Sequence, residues 1–107
     1  KITCNTILNR PPMNPSPQTL KLCKNISDLG KSLGIDFNWV ATGGGSDGNY
    51  CAALGIPTVD GLGPVGGGGH SIHEWLDANS IKPRLNLLIK TIEFITNSPI
   101  KYCYFIV

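Results

Sequence analysis

The chain has 107 residues, a formal charge of +2, 15% charged residues and 41% hydrophobic residues. That length suits one domain or part of one, burying somewhat over ~60% of the surface its unfolded form exposes. The balance excludes a strongly basic nucleic-acid surface and a charged, disordered chain, and no apolar run approaches the ~20 residues that cross a bilayer.

Residues 2–8 alternate, with Ile2, Cys4 and Leu8 against Thr3, Asn5 and Asn9, which predicts a strand. Pro11, Pro12 and Pro15 stop it. Ser16-Pro17 reads as an N-cap followed by proline at the first helical position. Leu20, Cys23, Ile26, Leu29 and Leu33 then give one apolar helical face, closed by Gly34. Phe37, Trp39 and Ala41 alternate and predict a second strand, running into Gly43-Gly44-Gly45-Ser46-Asp47-Gly48. A short helix is expected over residues 49–54, stopped by Gly55, and a short strand over residues 56–60. A glycine loop leads to His70, and Trp75 and Leu76 begin a short turn. Ser80, Pro83 and the spacing of Ile81, Leu85, Leu88, Ile89, Ile92 and Ile95 predict the last long helix, ended by Asn97-Ser98-Pro99. Residues 102–107 read as an edge strand or as a segment covered by a partner. Helices alternating with short strands predict α/β layers.

Seven of the 13 glycines fall in two clusters, at residues 43–45 and 66–69, which marks two special loops. Cys4, Cys23, Cys51 and Cys103 lie far apart without a CxxC pair, as suits reduced thiols packed as small apolar groups. In the first loop, Ser46 or Asp47 suits a helix cap, and the same junction suits an anion. The second loop contains Gly61-Leu62-Gly63-Pro64-Val65-Gly66, a match to G-x-G-x-x-G. Pro64 inside the turn, the lack of a helix opening at Gly66 and the missing acidic residue ~20 positions on argue against a dinucleotide site. No Gly-Lys-Ser/Thr follows either loop, so a P-loop is also excluded.

His70 ends the second loop, with His73 and Glu74 close behind. On a helix the two histidines would share a face and chelate, but a zinc site needs three or four ligands. Alternatively His70 is structural or exposed. Arg10 stands before two prolines that stiffen its backbone, which suits a fork held towards a carboxylate; a solvated arginine is the other reading.

The order of these motifs is more specific than any one of them. Arg10-Pro11-Pro12, Gly43-Gly44-Gly45-Ser46-Asp47-Gly48-Asn49, Leu54-Gly55-Ile56-Pro57, Gly61-Leu62-Gly63-Pro64 and His70-Ser71-x-x-Glu74 follow one another along the chain. From about residue 3 to residue 95 the chain resembles the metallopeptidase family that includes glutamate carboxypeptidase, acetylornithine deacetylase, succinyl-diaminopimelate desuccinylase and aminoacylase, with the glutamate carboxypeptidase branch most similar. The resemblance implies a partial three-layer α/β zinc-peptidase catalytic domain. It implies two zinc ions sharing a carboxylate and a water that attacks an amide carbonyl, with a glutamate as general base. Most of that apparatus would lie upstream of this chain. By the same resemblance, His70 is one zinc ligand, Arg10 grips the substrate's terminal carboxylate, and Gly44, Gly45 and Ser46 line the substrate pocket. Asp47 and Glu74 would support neighbouring groups.

Residues 1–13 would be the last strand of a lid domain through which family dimers form, residues 14–97 the C-terminal part of the catalytic domain, and residues 98–107 an unassigned tail. The implied partners are a peptidyl or N-acyl amino acid with a free carboxylate and the missing N-terminal half of the same protein, with no nucleic acid and no membrane. The isolated chain is expected to be inactive. A cytoplasmic and a periplasmic or secreted location both stay open. His73 departs from the family, which often has aspartate there, and residues 101–107 match nothing in it. The competing reading is a free-standing α/β module that binds a small anion or a protein partner without catalysis.

Overall fold

The computed structural model describes residues 1–7, 9–98 and 105–106. Three helices carry most of the regular structure. Helix α1 spans Pro17–Ser32, α2 Gly48–Ala53 and α3 Ile81–Thr96. Four two-residue strands accompany them: β1 Thr58–Val59, β2 Gly66–Gly67, β3 Trp75–Leu76 and β4 Phe105–Ile106.

Helix α1 forms for the reasons its sequence suggests. Ser16 caps it, its Oγ accepting the Thr19 N–H at 3.1 Å, and Pro17 opens it. At its other end Gly34 turns left-handed at φ 73°. Gly34 N–H then donates to Lys31 O and Ile35 N–H to Gly30 O, the two reversed bonds that satisfy a helix's last carbonyls. One face of α1 meets α3. Leu22 and Ile26 pack with Leu87, Val59 and Leu62, and these five are the buried hydrophobic residues among those described. Burying each contributes about 1.5–3 kcal/mol. Thr91, also buried, returns its hydroxyl to Leu87 O at 2.8 Å and so leaves no polar atom stranded.

The expected strand over residues 37–41 is not formed, although its alternation is real. Ile35, Phe37 and Trp39 pack against the core while Asp36, Asn38 and Val40 face outwards. The Trp39 indole donates to Cys23 O and Ser27 Oγ, and its ring meets Phe37 edge-on at 5.4 Å. The segment is thus extended and held by side chains, without a ladder. The expected strand over residues 2–8 is not formed either among the described residues. Ile2 and Ile7 are 98% and 88% exposed, so nothing rewards the alternation with burial. Conversely, Trp75 and Leu76, read as a turn, form β3.

The strands make two separate pairs. β1 runs parallel to β4, with Thr58 opposite Phe105 and Val59 opposite Ile106. β2 runs antiparallel to β3, with Gly66 opposite Leu76 and Gly67 opposite Trp75. The mix of helices and short strands is consistent with a partial α/β unit; among the described residues the strands form only two-stranded pairs, not the broad layered sheet the resemblance implies. Of the tail, residues 99–104 and 107 lie outside the described residues, as does Cys103; Cys4, Cys23 and Cys51 are free thiols.

The chain is thin, 59 × 38 × 17 Å, with a radius of gyration of 16.3 Å against about 13 Å for a compact chain of this length. One consequence is a bare apolar stripe on α3: Ile81, Leu85, Ile89 and Ile92 stand between 44% and 52% exposed. No helix among the described residues is long and apolar enough to cross a membrane.

Candidate functional site

Two clusters hold the residues singled out by sequence. The first joins Arg10 to the glycine loop over residues 43–47. An Arg10 guanidinium nitrogen lies 3.1 Å from Asp47 Oδ1, and the guanidinium also lies over the Tyr50 ring, 5.5 Å from its centroid. Gly45 comes so near that an added Cβ would sit 3.3 Å from Arg10 Cδ. Arg10 is therefore fixed between a carboxylate, an aromatic face and the loop backbone. Its side chain is still 37% exposed, and a guanidinium has five N–H donors, so one ion pair leaves donors to spare.

The loop's own polar groups are used mainly to shape it. Ser46 Oγ accepts the Gly48 N–H at 3.1 Å, and Ser46 N–H donates to Asn49 Oδ1 at 2.8 Å. Asp47 stands at the N-cap of α2 but makes no capping bond, because its carboxylate faces Arg10. Helix α2 has only six residues, so its dipole adds little. The positive charge of this cluster comes from Arg10. Of the expected pocket residues, Gly45 lies against Arg10 and Ser46 braces the turn, while Gly44 has only the Thr42 hydroxyl near its α-carbon's open side.

Two residues that the sequence reading left without a role complete the cluster. Asn49 Nδ2 donates to Pro11 O at 2.8 Å, and Tyr50 OH donates to Asn9 O at 3.1 Å. The available signal was Asn49 itself, a polar residue at the start of the expected short helix, directly after Asp47-Gly48.

The second cluster is the loop between β2 and β3, with His70 at its tip. This loop is not helical, so His70 and His73 do not share a helical face. Ser71 builds the turn: its N–H and Oγ both donate to Gly68 O, and its Oγ accepts the His73 N–H. The glycines here answer to close approach. An added Cβ on Gly68 would lie 2.6 Å from His73 O, and one on Gly67 2.9 Å from the Trp75 indole nitrogen. His70 is the one non-glycine residue with positive φ among the described residues, at 65°. Such a backbone costs a side-chain-bearing residue energy, and it turns the exposed imidazole out from the hairpin tip. Glu74 reaches back along the loop, its Oε1 4.0 Å from where a Gly69 Cβ would stand. An open depression beside the hairpin is lined by Gly66, Gly67, Gly69, Glu74 and Trp75.

Among the described residues, no hydrogen bond or ion pair joins the two clusters, and no group of three or more His, Cys, Asp or Glu residues could hold a metal ion. A complete two-zinc centre therefore does not fit the described residues by themselves.

The model of peptidase family M20/M25/M40 matches residues 2–93 of this chain. The chain belongs to peptidase family M20/M25/M40. Peptidases of this family are generally metal-dependent. The matched span takes in both clusters, from Arg10 through the glycine loop to His70 and Glu74. No curated protein and no solved structure matches the chain.

Proposed function

We propose that this chain is the C-terminal part of a zinc-dependent carboxypeptidase or amidohydrolase, most similar to glutamate carboxypeptidase, that cleaves the amide bond of peptidyl or N-acyl amino acids. The observation that carries this reading is the seating of Arg10 on the glycine loop, 35 residues further along the chain, with donors left over. A fixed, half-exposed guanidinium fits the planar fork of a substrate carboxylate. The loop over residues 43–47 then forms one wall of that pocket. His70, held out on a strained hairpin tip, is the chain's contribution to the metal site, and Glu74 braces the same loop.

In this reading the other metal ligands and the general base come from outside residues 1–107, so the chain alone does not turn over substrate. Residues 1–13 belong to the lid and residues 14–97 to the C-terminal part of the catalytic domain. The bare stripe of Ile81, Leu85, Ile89 and Ile92 supports a molecule whose remaining part covers α3.

The test is hydrolysis of a panel of N-acyl and peptidyl amino acids by the whole protein. Arg10→Ala should raise KM for substrates with a free carboxylate, and His70→Ala should abolish turnover. Chelator-sensitive turnover by the pure 107-residue chain would overturn the assignment of the remaining machinery to another segment.

A further inference from the structure

We infer that Asn49 and Tyr50 are positioning residues for Arg10, and that together they set the site's selectivity for a carboxylate over a neutral group. The inference rests on the reading of Arg10 as the carboxylate grip.

Arg10 lies in a segment without regular structure, between Asn9 and Pro11. Among the described residues no ladder holds that segment, and its N-terminal end is solvent-exposed. Yet both of its flanking carbonyls are tied to consecutive residues of α2. Asn49 Nδ2 takes Pro11 O, and Tyr50 OH takes Asn9 O. The Arg10 backbone is thus held from both sides. Asn49 is only 8% exposed, and its amide is used at both ends, with Oδ1 accepting Ser46 N–H. One side chain therefore fastens the arginine segment to the glycine loop. Tyr50 acts twice, since its ring also lies beneath the guanidinium. A cation over an aromatic face is held in orientation as well as in place.

A guanidinium discriminates a carboxylate from an amide by presenting two parallel N–H bonds, and this requires a fixed fork. Releasing either carbonyl frees the segment and blurs the fork without removing the charge. Selectivity then falls while general binding of the acyl group persists.

The test titrates N-acetylglycine and N-acetylglycinamide separately into the 107-residue chain, following the Arg10 Nε–H and the loop amides by NMR. Asn49→Asp keeps the acceptor for Ser46 N–H but loses the donor to Pro11 O and adds a negative charge, so Tyr50→Phe, which adds none, separates loss of the hold from plain repulsion. Tyr50→Phe keeps the ring and loses the bond to Asn9 O. Each should reduce the preference for the carboxylate probe by about five- to tenfold, the worth of one hydrogen bond of this kind. Amide-probe affinity and melting temperature should stay at wild-type values in Tyr50→Phe, which a merely structural role would not spare. If Asn49→Asp unfolds, Tyr50→Phe alone decides. Wild-type preference in a folded variant, with preference lost in Arg10→Ala, would overturn the inference and leave the carboxylate reading standing. No preference in the wild-type chain, or an unchanged preference in Arg10→Ala, would overturn that reading and the inference with it.

Discussion

Asp47 Oδ1 stands 3.1 Å from a guanidinium nitrogen of Arg10, so a carboxylate of the chain itself occupies part of the fork proposed for substrate. The Asp47 side chain is 80% exposed, which makes the pair easy to part. An exposed ion pair of this kind contributes only about 0–1 kcal/mol. Asp47→Asn should therefore leave the melting temperature nearly unchanged while tightening N-acetylglycine binding by up to about fivefold. Weaker binding in that variant would show that Asp47 aims the arginine instead of competing for it.

The hairpin that carries His70 depends on Gly68. Its φ is 68°, and an added Cβ would meet His73 O at 2.6 Å. Gly34 has a similar φ of 73° but open space around it. Gly34→Ala should cost the left-handed penalty of about 1–2 kcal/mol. Gly68→Ala should cost more, because a backbone clash is added to it, and should shift the amide resonances of β2 and β3. Urea unfolding of the two variants checks the order; equal losses would mean that the hairpin yields freely.

His70 shares that left-handed conformation without being glycine. Replacing it should therefore reveal strain kept for a reason other than stability. His70→Gly should be at least as stable as wild type, and His70→Val should lose about 1–2 kcal/mol in urea unfolding. A clear loss of stability in His70→Gly would assign the imidazole a structural role.

Burial pushes the Cys23 thiol above its ordinary 9.0, partly offset by a backbone hydrogen bond. A raised thiol pKa favours the neutral form in the fold. The associated stability is present below the unfolded value and is lost as pH rises through the folded one. Alkylation of Cys23 by iodoacetamide should lag behind that of exposed Cys4 at pH 8, and its rate should still be climbing above pH 9. Equal rates at pH 8 would place Cys23 outside the core margin.

The helices were legible because their signals are local. Ser16, Pro17 and Gly34 mark the ends of α1 without reference to anything distant, and the spacing of Ile81, Leu85 and Leu88 sets out α3. Strands need partners, and a partner is not written in the strand. Residues 37–41 alternate correctly and yet pack by side chains alone, while Gly66 and Gly67, which have no side chain to alternate, pair with Leu76 and Trp75. For the site, residue chemistry picked out Arg10 and the glycine loop, which the fold brings together. It missed Asn49 and Tyr50, whose roles arise from contacts 38 and 41 residues away. The glycine loop leading to His70 was legible, but the pairing of Gly66 and Gly67 that makes it a hairpin was not.

In the proposed reading His70 is one donor to a metal centre whose other ligands lie outside residues 1–107. Calorimetric titration of zinc into the purified 107-residue chain, beside His70→Ala, tests it most directly. No binding tighter than about millimolar, roughly −4 kcal/mol, is expected in either protein. Tight stoichiometric binding that vanishes in His70→Ala would contradict it and give the chain a metal site of its own.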